Sequence, residues 1–172
     1  MNQLKSYAQG QWHTATDGFK PCHHAINGQP IAHISSAGLD FSAMLDYAKT
    51  QGQPALAQMT FHERALMLKE LALYLMSRKK EFYQLSSATG ATKLDSWIDI
   101  DGGIGTLFVY SGKGRREMPD HHILLDGAPE HISTNGTFLA QHICTSLQGV
   151  AIHINAFNFP CWGMLEKLAP SL

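Results

Sequence analysis

Residues 149–170 read GVAIHINAFNFPCWGMLEKLAP, and three local chemistries follow one another within that stretch. Gly149-Val150-Ala151-Ile152-His153-Ile154 is a nearly continuous apolar run, the pattern of a strand buried on both faces of a parallel sheet. Residues 155–160 read as a turn, and residues 161–172 have helical character. Strand, turn and helix in that order open a doubly wound α/β unit. A parallel strand needs a neighbour, and nothing after Leu172 in this sequence supplies one. The expectation is an α/β protein of which residues 1–172 form an N-terminal part.

Upstream, residues 137–146 have strand chemistry, with Phe138, Ala140, His142 and Cys144 on alternate positions. Residues 112–136 are polar, interrupted by Pro119 and Pro129, and read as a long loop with one short strand at most. Between Asp95 and Val109, Trp97, Ile100, Ile104 and Phe108 recur at spacings of three and four, which predicts a helix. Gly102, Gly103 and Gly105 together cost that helix roughly 2–3 kcal/mol relative to alanine, so close approach of another backbone is expected there. Thr60-Phe61-His62-Glu63 is a capping box. It opens a long helix whose stripe is Leu68, Leu71, Leu75 and Phe82 and whose stop is Gly90. The Arg78-Lys79-Lys80 run on that helix reads as a solvated face. Residues 39–50 predict a shorter helix capped by Asp40 or Ser42 and followed by Gly52. Before it, His24-Ala25-Ile26 and Ile31-Ala32-His33-Ile34 flank Asn27-Gly28, predicting a hairpin on a type I′ turn, with Pro30 at a sheet edge.

Composition excludes several classes. The 172 residues carry 13 Lys and Arg against 14 Asp and Glu, a net charge of −1, with no concentrated basic face for nucleic acid. No apolar run approaches the roughly 20 residues that span a bilayer, and residues 1–10 hold no continuous apolar core of a signal peptide. Cys22, Cys144 and Cys161 are an odd, widely spaced set rather than a disulfide framework. No membrane or nucleic-acid partner is expected, and the location expected is the cytoplasm.

The constellations that carry chemistry are few. Gly103-Ile104-Gly105 lacks the third glycine of a dinucleotide loop and follows no strand. His23-His24 beside Cys22, and His121-His122 beside Asp120, are adjacent residues that face opposite ways on a strand, so no metal site is expected. Cys161 begins a predicted helix, where the dipole lowers a thiol pKa, yet it has no base nearby in sequence and reads as a structural thiol. Asn158 lies at a strand-to-helix crossing, where open α/β sheets place ligands. Its amide can donate to a developing oxyanion without titrating. A turn-forming asparagine fits the same position.

The stretch GVAIHINAFNFPCWGMLEKLAP resembles the aldehyde dehydrogenase superfamily, which carries Asn-Phe-Pro just after the first strand of its dinucleotide-binding domain. HHAINGQPIAHISSAGLD, MTFHERALMLK and DSWIDIDGGIGTLF extend the resemblance over nearly the whole chain. The closer likeness is to the CoA-semialdehyde branch, including bifunctional phenylacetate-degradation proteins that fuse an oxepin-CoA hydrolase to the dehydrogenase. Benzoate-pathway semialdehyde dehydrogenases are the nearest alternative. The resemblance implies an N-terminal hairpin arm, covering helices, an oligomerisation strand near residues 137–143, and residues 149–172 as the first βα unit of a Rossmann-like domain. It implies that Asn158 is the oxyanion-hole amide and that Ile154, Asn155, Ala156 and Phe157 line the cleft for NADP, or NAD. Ala156-Phe157 replaces the Pro-Trp of most members. Phe159, Gly163 and Glu166 fall where the family builds its substrate tunnel. The implied partners are a CoA-linked semialdehyde and further copies of the chain. The family's nucleophilic cysteine and general-base glutamate match nothing in these residues, so the isolated chain is expected to be inactive. A helical interaction module without chemistry is the rival from another class.

Overall fold

Five short strands open the chain: β1 (Asn2–Gln3), β2 (Ser6–Ala8), β3 (Gln11–His13), β4 (Lys20–His23) and β5 (Pro30–Ile34). The computed structural model describes residues 2–172. β2 and β3 form a hairpin whose two turn residues, Gln9 and Gly10, both have positive φ, the geometry of a type I′ turn. The hairpin expected around Asn27-Gly28 is present as β4 and β5, but wider than the sequence suggested. His24, Ala25 and Ile26 belong to its connection rather than to a strand, and Gly28 alone takes a left-handed φ, +70°. The Asn27 Oδ1 instead accepts the Gln29 N–H at 3.0 Å, a local turn bond that competes with the tighter turn. β5 is the central strand, flanked by β1 and β4, and not an edge. Pro30 is tolerated because it is the first residue of β5, and β1 pairs only at Ala32 and His33.

The helices follow their capping chemistry. Helix α1 (Phe41–Tyr47) starts where the Asp40 carboxylate accepts the Ala43 N–H at 2.9 Å. Gly52 does not end it; a π-helical turn, Ala48–Gly52, carries the axis on into α2 (Gln53–Ala57). Helix α3 (Phe61–Ser86) has the expected capping box, with the Thr60 N–H donating to the Glu63 carboxylate at 2.8 Å and Glu63 N–H to Thr60 Oγ1 at 3.2 Å. It closes through a short 3-10 turn on Gly90, at φ +86°. A second capping box, Thr92 with Asp95, starts α4 (Lys93–Trp97), and a π turn, Ile98–Gly102, joins it to α5 (Gly103–Glu117). Helix therefore occupies the start of the stretch expected to be loop. The rest of that stretch contains β6 (Leu124–His131), an eight-residue strand antiparallel to β7 (Leu139–Cys144). Its polar, proline-containing sequence hid the strand, which a register irregularity between Asp126 and Glu130 accommodates. Helix α6 (Pro160–Ser171) begins with proline in its first turn, where the missing N–H costs nothing.

The core lies where α3, α5 and α6 meet. Leu68 and Ala72 of α3, Ile104 and Leu107 of α5, and Leu165 and Ala169 of α6 close over Ile100 of the π turn. Each such Leu or Ile contributes about 1.5–3 kcal/mol by leaving water. At the edge of this core, Asp101 accepts Lys79 Nζ at 2.7 Å and the Tyr83 hydroxyl at 2.5 Å. The Arg78-Lys79-Lys80 run is thus only partly a solvated face. Arg78 pairs with Glu81 at the surface, while Lys79 turns inward. Burial alone would raise the Asp101 pKa, but the bonds from Lys79 and Tyr83 outweigh it and hold the carboxyl below its ordinary value.

The strand expected over residues 149–154 is not formed. Among the described residues nothing pairs with it, and Ile152 and Ile154 are 79% and 87% exposed. An extended backbone without a neighbour leaves its N–H and C=O groups to water, so apolar sequence alone does not make a strand. No helix among the described residues is long and apolar enough to cross a membrane.

The glycine cluster serves helix packing, as its spacing suggested. A Cβ on Gly103 would stand 2.9 Å from the backbone N and Cα of Trp162, and one on Gly102 would collide with the Trp162 ring. A Cβ on Gly105 would meet nothing within 4 Å. Gly103→Ala should therefore destabilise the chain by about 1–3 kcal/mol through overpacking against backbone. Gly105→Ala should stabilise it by up to about 1 kcal/mol through helix propensity. Denaturant unfolding of the two variants side by side checks this, and equal effects would refute the packing role.

Candidate functional site

The first turn of α6 is held by a carboxylate from another helix. Asp99, 4% exposed on the π turn, accepts the Trp162 N–H at 2.7 Å and the Cys161 N–H at 3.3 Å. These are two of the N–H groups that a helix start leaves without intrahelical partners. Phe159, the residue before α6, makes no side-chain cap of its own. Asp99 was not singled out in the sequence. Its signal was an acid set between Ile98 and Ile100 in a helix-forming stretch, shortly before the Gly102-Gly103 pair.

Against this turn lies a cavity of about 410 Å³. Ala156, Asn158, Phe159, Gly163 and Glu166 line it, so most of the expected site residues come together there. Ile98, Trp162 and Lys167 complete the wall and were missed. Asn158 is exposed, and its side-chain amide makes no hydrogen bond among the described residues, which leaves two N–H donors free. Glu166 accepts the Trp162 indole N–H at 2.8 Å and lies 3.5 Å from Lys167 Nζ, which itself donates to the Gly163 carbonyl at 2.7 Å. The wall thus offers one unengaged neutral donor, Asn158, beside an acid and a cation, Glu166 and Lys167, that lie against each other.

Ile154 and Phe157 stand outside the cavity, 87% and 93% exposed. Asn155 is half-buried, and its Oδ1 is enclosed without a hydrogen-bond partner. It lies 4.0 Å from where a Gly163 Cβ would stand, so the loop folds back over the first turn of α6. A second cavity, about 440 Å³, lies between Trp97, Ile98, Asp101, Gly102 and Trp162. No group of three or more His, Cys, Asp or Glu side chains is placed to hold a metal among the described residues.

Cys161 is half-buried, and its thiol pKa is pushed up to about 11, first by burial and then by Asp99 and Asp101. Burial, with the two carboxylates adding to it, outweighs the helix dipole that would activate it. No cysteine lines the Asn158 cavity.

Comparison with known proteins gives a consistent set. Residues 12–172 match the aldehyde dehydrogenase family. The chain is 35% identical over 171 residues to a 3,4-dehydroadipyl-CoA semialdehyde dehydrogenase of Aromatoleum evansii, covering 99% of this chain and 33% of that protein. A solved 3,6-anhydro-L-galactose dehydrogenase in complex with NADP superposes at a TM-score of 0.75 and 20% identity. That likeness covers 98% of this chain and 34% of the other. The chain spans about a third of the length of these relatives.

The reactivity of Cys161 follows from its surroundings. At pH 8 a thiol of pKa near 11 is about 0.1% thiolate, so iodoacetamide should modify the exposed Cys144 well before Cys161. Between pH 8 and 10 the Cys161 rate should climb about tenfold per unit. Mass spectrometry of timed digests reads both sites. Labelling of Cys161 as fast as Cys144 at pH 8 would show an activated thiol.

Proposed function

This chain belongs to the aldehyde dehydrogenase family, and we propose that it supplies the oxyanion-binding wall of an enzyme oxidising a CoA-linked semialdehyde to the acid with NADP. The observation that carries the proposal is the free Asn158 amide at the cavity wall, on a loop seated against α6. As a nucleophile adds to an aldehyde, the carbonyl oxygen gains negative charge, and a preorganised neutral donor stabilises that charge without a proton of its own to lose. Phe159 and Gly163 bound the path of the aldehyde chain, and the small Gly163 leaves room for an extended substrate. Glu166, occupied by the Trp162 indole and near Lys167, shapes that path.

On the same loop as Asn155, the exposed Ile154, Ala156 and Phe157 offer apolar surface to the cofactor. NADP, when bound, supplies the hydride acceptor. Because burial and two carboxylates disfavour a Cys161 thiolate and no cysteine lines the cavity, the attacking thiolate is proposed to come from outside these residues. The 172-residue chain alone is therefore proposed to be inactive.

Two substrates fit this reading. One is the ring-opened semialdehyde of phenylacetate catabolism, with an oxepin-CoA hydrolase fused to the parent. The other is the semialdehyde named for the Aromatoleum evansii relative, and the 35% identity favours it. A cytoplasmic homo-oligomer completes the proposal. Exposed Leu139 and Ile143 lie on β7, with Phe138 just before it, and β7 pairs with β6 alone among the described residues.

In a catalytically competent protein carrying this segment, Asn158→Ala should lower kcat roughly 100- to 1,000-fold, about 2.7–4 kcal/mol of transition-state stabilisation. The Kd for NADP should change little, because the amide serves the reacting oxygen. Steady-state rates with 3,4-dehydroadipyl-CoA semialdehyde, with NADP titration of the same variant, test this. A kcat within about threefold of wild type, well under 1 kcal/mol, would return Asn158 to the role of a turn residue.

A further inference from the structure

We propose that Asp99 is a positioning residue for the oxyanion donor, acting on Asn158 through the first turn of α6; this rests on the reading of Asn158 above. Asp99 does not itself line the Asn158 cavity; it reaches the wall through its neighbour Ile98 and through the backbone of Trp162. What it touches is the backbone two and three residues inside α6, at Cys161 and Trp162. From there the chain back to Asn158 is short and stiff. Pro160 fixes its own φ near −65°, and the Phe159 carbonyl accepts the Gly163 N–H at 2.9 Å as the first intrahelical bond. Asn158 therefore hangs from a turn whose two remaining backbone donors are held by one buried carboxylate.

The loop's other side-chain attachment lies five residues back, where His153 Nε2 meets Ser171 Oγ at 3.1 Å at the far end of α6. Asn158 itself makes no side-chain bond, Phe157 is exposed, and Asn155 Oδ1 is unpartnered. Of these attachments the α6 junction is the nearest to Asn158 in the chain and sets where the amide points. An oxyanion donor is effective only within about 2.7–3.1 Å of the reacting oxygen, and a displacement of about 1 Å can cost as much as 100-fold in rate. Releasing the Asp99 bonds frees the junction to shift by such an amount while leaving the Leu165 and Ala169 packing of α6 in place.

The test uses a catalytically competent protein that carries this segment, assayed with 3,4-dehydroadipyl-CoA semialdehyde and NADP. Asp99→Asn keeps the side-chain shape and one acceptor but turns an amide N–H toward the second backbone donor. Its kcat should fall roughly 10- to 100-fold, with both KM values within about twofold. The discriminating measurement is the double variant with Asn158→Ala. If Asp99 acts through Asn158, the double variant should be no slower than Asn158→Ala alone, because effects along one chain of action are not additive.

A general structural role would lower kcat by the same factor on both backgrounds, and that result overturns the proposal. So does wild-type kcat in Asp99→Asn. If Asn158→Ala alone retains activity, the oxyanion reading falls first and this inference with it; additivity alongside an impaired Asn158→Ala removes only the inference. Should Asp99→Asn fail to fold, wild-type amide exchange decides. The Cys161 and Trp162 N–H groups should be protected, unlike first-turn amides open to water, and rapid exchange at both would overturn the assignment.

Discussion

A single buried carboxylate decides where α6 can sit. Asp99 would be costly in the interior without partners, and the first turn of α6 would be costly there without acceptors. Each satisfies the other, at 2.7 and 3.3 Å. The negative charge also faces the positive end of the helix dipole, which adds to the bond. The contact is possible only because Gly102 and Gly103 leave the junction of the π turn and α5 bare of side chains where Trp162 arrives. Charge, hydrogen bonding and shape thus agree on one docking position. The apolar contacts of Leu165 and Ala169 then add most of the burial free energy.

Asp101 shows the same logic on the opposite side. Residues two apart on a helix point in nearly opposite directions, so Asp99 and Asp101 address different neighbours. Asp99 holds α6, while Asp101 holds α3 through Lys79 and Tyr83. An acid-x-acid pattern on a buried helix can therefore staple two partners at once. The π turn that carries both is a widened segment of helix, a feature common near functional sites. Here its function is to present two carboxylates and a bare glycine face within five residues.

What the sequence disclosed follows from how local each signal is. The capping box at Thr60, the stripe of Leu68, Leu71, Leu75 and Phe82, and the packing role of Gly102 and Gly103 were legible because propensity and periodicity carry them. The extent of the helix through Gly112 and Gly114 was not, because two glycines and a polar run look like loop until packing supports them. β6 was hidden for the same reason: its pairing with β7 is a non-local fact. Residues 149–154 failed in the other direction, since their apolar run specifies a strand only when a neighbour is present. At the site, the loop residues were found through a family resemblance. Asp99 was missed because its partners lie more than 60 residues away in sequence. Periodicity has no means of showing that an acid set between Ile98 and Ile100 is capping another helix.

Cys161 and Asn158 lie three residues apart at the same helix start, and the structure permits them opposite chemistries. A nucleophilic thiol must ionise, and a helix start would ordinarily help it to do so. Yet burial in this junction raises the cost of a thiolate most, and the carboxylate that secures the helix, with Asp101, adds to that cost. The firmer the anchorage of α6, the less its first turn can host an anion from its own side chains. A neutral amide escapes the conflict, because it donates to a negative oxygen without becoming charged. The constraint that fixes the fold at this junction therefore also selects the chemistry that can be placed there. A neutral donor is at ease at this junction, and a thiolate is disfavoured there.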